Sequence, residues 1–456
     1  MNAPDRFVIE GCAVATVDTA GTEHANGYLV VEGGRIHAVG PGPCPSGYGP
    51  ARLIDGSGCL ATPGLVNCHH HLYQWLTRGL AQQATLFEWL TELYPVWARL
   101  DAELEAAAAR AALAALLTSG CSTTTDHHYV FPPGVPGLLE AEVEAAAEIG
   151  LRFHPCRGSM DLGRSKGGLP PDSIVQETDD VLAETEAAIR RFHDPEPGSM
   201  LRIAVAPCSP FSATERLMTE SAELARRLGV RLHTHIAETK DEEAFCLERF
   251  GRRPLELLDH LGYLGPDVWL AHCVHLSERD IARVAETSTG VAWCPTSNLR
   301  LGSGIAPGPA LLAAGAPVGL GVDGSASNDA GDLLAEARQA MLVSRVEAIE
   351  GGIGALEALR VATRGGAACL GRDDIGSLEV GKRADIALFD VDGLAFAGAE
   401  ADPVAALVFC APERVRDLFV DGRRVVEAGR LVTAYEEAIA GEGHRVARRI
   451  LERAEG

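Results

Sequence analysis

Residues 60–71, LATPGLVNCHHH, run from an apolar segment directly into three consecutive histidines. The apolar part is typical of a buried β-strand, and the histidines at its end are side chains that bind metal ions. On an extended strand, residues two apart face the same side, so His69 and His71 are able to bind one ion together. The chain has 15 histidines, and one such pair arises easily by chance. Its meaning therefore depends on the rest of the sequence.

Further apolar segments follow along the chain, and long helical patterns separate them. The predicted strands are 60–68, 117–126, 151–157, 201–207, 230–236, 268–272, 290–294 and 317–323. Asp101–Ser119 is one of the predicted helices, because it is rich in Ala, Leu and Glu and is followed by Gly120. Strands that alternate with helices predict an α/β fold, a distorted (β/α)8 TIM barrel. An open doubly wound sheet is the alternative, and the lack of a Gly-rich phosphate loop after any strand disfavours it.

The two ends of the chain differ from its middle. Short β-branched segments with Gly-rich turns fill residues 6–39, and the same pattern returns in 384–426, where Asp421-Gly422 is a hairpin signal. We therefore predict a small discontinuous β-sandwich domain formed by residues 1–60 and 373–456, the latter with a terminal helix, around a barrel of residues 61–372. The alternative is two unrelated β segments.

Composition restricts the partners of the protein. Among 456 residues, 63 Asp and Glu outnumber 40 Lys and Arg, and the net charge of −23 argues against nucleic acid or an anionic membrane as the partner. Residues 1–11, MNAPDRFVIEG, lack the basic and apolar regions of a secretory signal. The 12 cysteines are irregularly spaced and contain no C-x-x-C pair, which indicates reduced thiols. We expect a cytoplasmic protein that acts on a small molecule.

Reactive side chains are concentrated at the carboxyl ends of the predicted strands. They are His69, His71, His128, Arg157, His235, Glu238, His272 and Asp323. In a (β/α)8 barrel these strand ends converge on one face, where active sites lie. Histidines at the ends of strands one, five and six, together with a carboxylate at the end of strand eight, predict a metal site there.

Imidazole and carboxylate ligands predict one divalent metal ion, with Zn²⁺ preferred over Fe²⁺ or another first-row metal. Glu238 lies three residues past His235 and lines the same pocket if the chain turns out of strand five. A carboxyl group in that position is suited to carry protons, although a glutamate in a loop is more often a solvated charge.

Several strings resemble the amidohydrolase superfamily. PGLVNCHHH (63–71) is similar to the P-G-x-[IV]-[ND]-x-H-x-H pattern that begins the barrel in that superfamily. In the order typical of the family there follow HTHIAE (233–238), LAHC (270–273), GVDGSASND (321–329) and GSLEVGKRAD (376–385). The resemblance covers nearly the whole chain. It is closest to the metal-dependent aminohydrolases that act on purines, pyrimidines and triazines.

The resemblance implies a mononuclear site with four metal ligands, His69, His71, His235 and Asp323. It also implies that Glu238 carries protons, that His272 orients or polarises the attacking water, and that Asp323 accepts the proton of that water. Strand four ends in APCS (206–209), without the lysine that bridges two metals in dinuclear relatives.

Within the superfamily, the nearest resemblance is to 8-oxoguanine deaminases. The strings that carry it are HHLYQ (70–74), LTELYPVWARL (90–100), DHHYVFP (126–132), RGSMDLGRSKGG (157–168) and CPTSNLRL (294–301). It implies hydrolysis of an aminated purine, with 8-oxoguanine and water giving urate and ammonia. A hydroxylated s-triazine or another aminated heterocycle is the alternative substrate. A non-catalytic barrel scaffold is the alternative of another class.

Substrate recognition requires polar groups that match the edges of a heterocycle. Gln74 is able to donate and accept hydrogen bonds, Arg157 is able to donate to a ring carbonyl, and His128 is able to do either. We predict these three as substrate contacts. For His128 the alternative is a buried polar network, and for Arg157 it is an ion pair with a neighbouring carboxylate. The resemblance also implies a homo-oligomer, because members of the family are often dimers.

Overall fold

A computed structural model of the protein describes residues 6–48, 51–348 and 351–455. Residues 1–5 of the predicted N-terminal segment and Gly456 of the predicted C-terminal segment therefore lie outside the described residues. The strands are β1 (Arg6–Ala15), β2 (Glu23–Glu32), β3 (Arg35–Pro41), β4 (Arg52–Asp55), β5 (Cys59–Pro63), β6 (Leu65–Asn67), β7 (His70–His71), β8 (Cys121–His128), β9 (Arg152–Ser159), β10 (Ala204–Pro207), β11 (Leu232–Ile236), β12 (Val268–His272), β13 (Gly290–Trp293), β14 (Val318–Leu320), β15 (Asp323–Gly324), β16 (Ile386–Asp390), β17 (Asp417–Val420), β18 (Arg423–Glu427) and β19 (Arg430–Leu431).

The helices lie mostly between the strands of the middle region. They are α1 (Leu86–Trp97), α2 (Ala102–Thr118), α3 (Leu138–Ile149), α4 (Thr178–Phe192), α5 (Glu215–Leu228), α6 (Lys240–Phe250), α7 (Pro254–His260), α8 (Glu278–Glu286), α9 (Pro295–Arg300), α10 (Gly308–Ala313), α11 (Leu333–Glu347), α12 (Ala355–Arg360), α13 (Gly366–Cys369), α14 (Pro403–Cys410) and α15 (Glu436–Glu455). The predicted helix 101–119 corresponds to α2, which begins after Asp101, whose side chain accepts a hydrogen bond from Leu104 N.

Parallel strands form a closed barrel in the order β10-β11-β12-β13-β14-β6-β8-β9. The barrel closes where β14 pairs with β6 through Leu320 and Asn67. Every residue of β8 and β9 is buried, as expected for parallel strands that are covered on both faces. The predicted (β/α)8 barrel is confirmed.

The predicted first strand, 60–68, is divided between two sheets. β5 pairs with β1 and β16 outside the barrel, whereas β6 pairs with β8 inside it. Gly64 lies at the transition, where a β-carbon would lie only 2.3 Å from Ser122 Oγ. The apolar pattern could not reveal this division, because a buried strand has the same pattern in either sheet.

Strands from both ends of the chain form one sheet in the order β19-β18-β17-β16-β5-β1-β2-β3, with β4 beside β1. The sheet has its own apolar core, which includes Phe7, Ile9, Leu29 and Phe419. The prediction that both ends build one strand-rich domain is confirmed. The division of the chain at residues 60 and 372 stays a prediction.

A buried ion pair joins the barrel to this outer sheet. Arg152, on β9, donates to both carboxylate oxygens of Asp385 at 3.1 Å. The same guanidinium also donates to the carbonyl oxygens of Gly198 and Ser199, both at 2.7 Å. Both partners are nearly inaccessible to solvent, with side-chain exposures of 0% and 2%.

Two observations on the described residues bear on the expectations from composition. Every cysteine is a free thiol, and most are buried. Within residues 6–48, 51–348 and 351–455, no helix combines the length and the apolar character that a membrane crossing requires.

Replacing Arg152 with Met should destabilise the protein strongly, because it leaves the buried Asp385 carboxylate without its cation. We expect the free energy of unfolding to fall by about 3–5 kcal/mol in urea titrations. Arg190→Ala is the control, since its ion pair with Glu186 is on the surface and is worth about 1 kcal/mol or less. Equal losses for the two variants would contradict the structural role of Arg152.

Candidate active site

A small cavity lies at the carboxyl ends of the barrel strands. Its polar wall includes His71, Gln74, His235, Glu238, His272 and Asp323, and its apolar wall includes Leu86, Trp89, Leu90, Tyr94, Phe211 and Leu301. The structure thus brings most of the predicted site residues together around one cavity.

The backbone places the first and last ligands of the predicted metal site side by side. Beyond the barrel, β7 and β15 pair in parallel, with Asp323 opposite His70 and Gly324 opposite His71. Asp323 and His272 have φ angles of 61° and 72°, a conformation that costs non-glycine residues free energy. Such left-handed positions are concentrated at functional sites, where they turn a side chain out of the path of its strand.

Four potential metal ligands face one another at short range. Asp323 Oδ1 lies 3.2 Å from His69 Nε2 and 3.3 Å from His71 Nε2. His71 Nε2 lies 3.1 Å from His235 Nε2. All four side chains are buried or nearly so. The atoms are therefore close enough to bind one ion.

The hydrogen bonds of the other ring nitrogens show which atoms carry protons. A carbonyl oxygen only accepts, so His71 Nδ1 donates to His127 O at 2.7 Å, and His235 Nδ1 donates to Cys208 O at 2.7 Å. In a neutral imidazole the opposite nitrogen, Nε2, then carries a lone pair. The two Nε2 atoms that face each other are both acceptors.

The position of the proton on His69 follows from its hydrogen bond to a second imidazole, that of His233. His233 Nδ1 donates to Trp269 O at 2.7 Å, so His233 Nε2 accepts from His69 Nδ1 at 2.9 Å. His69 Nε2 is then also an acceptor, and it has no hydrogen-bond partner among the described residues. Three lone pairs and one carboxylate oxygen thus converge, which is the donor set that a divalent cation requires.

Burial sets the ionisation of these groups. It lowers the pKa of His69 and His235, which keeps both imidazoles neutral. Asp323 Oδ2 accepts hydrogen bonds from the Ser297 and Ser327 hydroxyls, and hydrogen bonds to the charged form favour ionisation of this carboxyl group. Neutral imidazoles and an ionised carboxylate are the forms that bind a metal.

Glu238 and His272 lie beside this cluster. His272 Nε2 is 3.5 Å from Glu238 Oε2 and 3.9 Å from Asp323 Oδ2. Burial, followed by the charge of Asp323, raises the pKa of Glu238 well above its ordinary value. Glu238 is therefore able to hold a proton at neutral pH.

Glu242 is a functional candidate that the sequence interpretation missed. Its carboxylate accepts hydrogen bonds from the backbone N–H groups of Ala237 and Glu238, both at 2.8 Å. It therefore fixes the turn that carries Glu238 away from β11. The only signal in the sequence is its place four residues after Glu238, and this spacing alone does not distinguish it from a solvated helix residue.

Gln74 lies on the cavity wall and is fully buried. Neither its amide nitrogen nor its amide oxygen has a hydrogen-bond partner within the part of the chain that the structure describes. Gly324 makes room for it, because a β-carbon there would lie 1.7 Å from Gln74 Oε1. A buried amide without partners is costly, so its groups are available for a ligand.

The structure places Arg157 and His128 away from the cavity wall. Arg157 forms an ion pair with Glu184 at 2.6 Å and lies 3.7 Å above the ring of Phe131. His128 belongs to a buried polar network with Glu142, whose Oε1 is 2.7 Å from its Nδ1. These positions correspond to the alternatives given above for both residues. The structure therefore supports Gln74, but neither of these two, as a substrate contact.

The network around His128 contains three buried carboxyl groups. Glu105, Asp126 and Glu142 are all inaccessible to solvent, and burial raises the pKa of each of them, to about 8 for Glu142. His128 Nε2 donates to Val130 O at 2.8 Å, so its Nδ1 is an acceptor. This Nδ1 lies 2.7 Å from Glu142 Oε1, but neither atom has a hydrogen-bond partner among the described residues.

Comparisons with known proteins agree with this geometry. A family model described as "Amidohydrolase family" matches residues 60–425. The chain is 50% identical over 413 residues to an 8-oxoguanine deaminase of Pseudomonas aeruginosa, covering 90% of this chain and 92% of the relative. It is 38% identical over 456 residues to hydroxydechloroatrazine ethylaminohydrolase of Pseudomonas sp. (strain ADP), covering 96% and 94%. Its fold matches a structure of atrazine chlorohydrolase from Arthrobacter aurescens TC1, complexed with zinc, with a TM-score of 0.92 and 35% identity over 97% and 100% of the two chains.

Fold and site together define a hydrolase that uses a divalent metal ion and acts on C–N bonds in heterocycles. The chain belongs to the amidohydrolase family. The prediction of an enzyme, rather than a non-catalytic scaffold, is confirmed.

The buried network should make stability depend on pH. A carboxyl group whose pKa is higher in the folded protein than in the unfolded chain loses stability as pH rises between the two values. For Glu142 this range extends from its ordinary 4.5 to about 8. Between pH 5 and 8 we expect wild-type protein to lose on the order of 3 kcal/mol more unfolding free energy than Glu142→Gln, whose side chain stays neutral throughout this range.

Urea titrations of both proteins at each pH measure this difference. Glu105, Asp126 and His128 face Glu142 and remain in both proteins, so the difference between the two profiles reports the change at Glu142 together with its effect on these neighbours. Parallel pH profiles would show that Glu142 is not protonated in the folded state.

Proposed function

We propose that this protein is a hydrolytic deaminase of an aminated purine, and that it converts 8-oxoguanine and water to urate and ammonia. The observation that carries the proposal is the unpartnered amide of Gln74 on the wall of the cavity that is also lined by His71, His235 and Asp323 of the metal site. A lactam edge offers one donor and one acceptor, which matches the two free groups of Gln74. Trp89 and Phe211, on the apolar wall, are suited to contact the faces of a planar bicyclic ring.

Similarity supports the same substrate. The relative from Pseudomonas aeruginosa, which is half identical along most of the chain, is an 8-oxoguanine deaminase. A hydroxylated s-triazine is the second candidate, because the hydroxydechloroatrazine ethylaminohydrolase is also similar over almost the whole length. Both reactions replace a nitrogen substituent on an electron-poor ring carbon with oxygen, so the same catalytic groups would serve either.

We propose one Zn²⁺ ion as the resident metal, held by His69, His71, His235 and Asp323. Such an ion, when bound, lowers the pKa of water towards neutrality and so supplies a nucleophile. The zinc in the related atrazine chlorohydrolase structure supports this choice over Fe²⁺. Metal analysis of protein purified without added metals tests it directly.

The side chains of this protein move the protons. Water adds to the ring carbon that bears the amino group, and Asp323 accepts the proton that the water loses. Glu238, whose pKa is raised by burial and by the charge of Asp323, donates a proton to the neighbouring ring nitrogen, which keeps it in the product. The C–N bond then breaks as the amino group takes the proton held by Asp323 and leaves as ammonia. The hydroxyl group on the ring carbon gives its proton to Glu238 and becomes the carbonyl group of the product, so both carboxyl groups return to their starting states. His272 contacts the attacking oxygen throughout.

We also propose that the protein is a cytoplasmic homo-oligomer. The free thiols support the location. Members of the family are often dimers, which supports the oligomer. Light scattering on a size-exclusion column gives the mass of the particle and tests the second part.

A substrate panel tests the proposed reaction. We expect Zn²⁺-loaded protein to release ammonia rapidly from 8-oxoguanine, slowly from guanine and slowly from a hydroxytriazine, measured by a coupled ammonia assay together with the ultraviolet change. Activity on the triazine alone would keep the catalytic groups and overturn the assignment of the substrate.

Glu238→Gln tests the proton carrier. The amide has the shape of the acid but does not release a proton, so we expect turnover to fall by about 10²–10⁴ while metal content stays unchanged. The control is Glu248→Gln, the same substitution at an exposed position of α6. Turnover of Glu238→Gln near that of the control would remove Glu238 from the mechanism.

A further inference from the structure

The segment CPTSNLRL (294–301) has no part in the proposed reaction so far. It follows β13, and Ser297 and Asn298 lie on the short helix α9 that begins there. Both side chains are buried, with exposures of 0% and 1%. Each one contacts a different group of the proposed catalytic machinery.

Asn298 contacts the side of the His272 ring that faces away from the cavity. Asn298 Nδ2 lies 3.0 Å from His272 Nδ1. On the other side of the ring, Nε2 faces two carboxyl groups, Glu238 Oε2 at 3.5 Å and Asp323 Oδ2 at 3.9 Å. A neutral imidazole carries hydrogen on only one nitrogen. The amide nitrogen of Asn298 only donates hydrogen bonds, so His272 Nδ1 accepts from it and the ring hydrogen lies on Nε2.

Ser297 contacts Asp323 in a complementary way. Its hydroxyl donates to Asp323 Oδ2, and Ser327 Oγ donates to the same oxygen at 3.2 Å. These two donors leave Asp323 Oδ1 as the oxygen that faces His69 and His71. Two neighbouring residues of α9 therefore orient the two groups that lie nearest to the reacting water.

We propose that Asn298 is a positioning residue that holds His272 in the tautomer with hydrogen on Nε2. His272 then donates a hydrogen bond to the reacting oxygen atom and does not accept its proton, which leaves Asp323 as the acceptor. This inference rests on the proposed function, because it assumes that water attacks beside His272. On this proposal, Asn298 of the CPTSNLRL segment determines whether His272 donates or accepts that hydrogen bond.

Two substitutions separate hydrogen-bond donation from shape. Asn298→Asp keeps the shape of the side chain but offers only acceptors, whereas Asn298→Ala leaves space that water is able to fill. If donation matters, Asp is at least as damaging as Ala. We expect Asn298→Asp to lower kcat by about 100-fold or more, with KM and metal content within about threefold of wild type. If only shape matters, Asn298→Asp keeps a kcat within about threefold of wild type, and the proposal is overturned.

The tautomer itself is measured without substrate. Nitrogen NMR of the metal-loaded protein labelled with ¹⁵N-histidine distinguishes a ring nitrogen that carries hydrogen from one that does not, and His272→Gln identifies the signals of His272. We expect hydrogen on Nε2 in wild type and on Nδ1 in Asn298→Asp. Hydrogen on Nδ1 in the wild-type protein would overturn the proposal, even if the variants fold poorly. A failure to deaminate 8-oxoguanine would leave this measurement unaffected.

Discussion

Three imidazole lone pairs and one carboxylate oxygen meet at the end of the barrel, and the rest of the site depends on this convergence of acceptors. Such groups repel one another unless a cation lies between them. The protein keeps them in place by using the opposite nitrogen of each ring. His71 and His235 are held by backbone carbonyl oxygens, and His69 is held through His233. The barrel therefore fixes both the position and the protonation of its ligands.

The surrounding fold compensates for the free energy that this arrangement costs. Asp323 and His272 have left-handed backbone conformations, each of which costs about 1–3 kcal/mol and persists only where neighbouring structure enforces it. Parallel strands that are buried on both faces hold the backbone in place. The Arg152–Asp385 ion pair connects the barrel to the sheet built from both chain ends. The discontinuous outer sheet thus stabilises the barrel, although none of its strands contributes a cavity residue named above.

Much of the site could be predicted because parallel barrel strands end on one face, so histidines far apart in sequence were expected to meet. The side of the strand that each residue faces was harder to predict. Adjacent residues of a strand point in opposite directions, and His127 faces the ligands, so His128 faces α2 and α3. Glu105 and Glu142, which meet His128 there, lie on different helices, and no local pattern in the sequence indicates that they pair. The division at Gly64 depends on which sheet a strand joins, and this too is not encoded locally.

The apolar wall of the cavity links the active site to a distant part of the chain. Leu86, Trp89, Leu90 and Tyr94, which form most of this wall, all lie on one helix, α1. The aromatic residues of α1 pack in a single apolar cluster with Val446 and Ile450 of α15. Any movement of α1 as substrate enters or product departs therefore disturbs contacts with a helix about 350 residues further along the chain. Movements of this kind occur in microseconds to milliseconds, and in many enzymes they limit turnover more than the chemical step does.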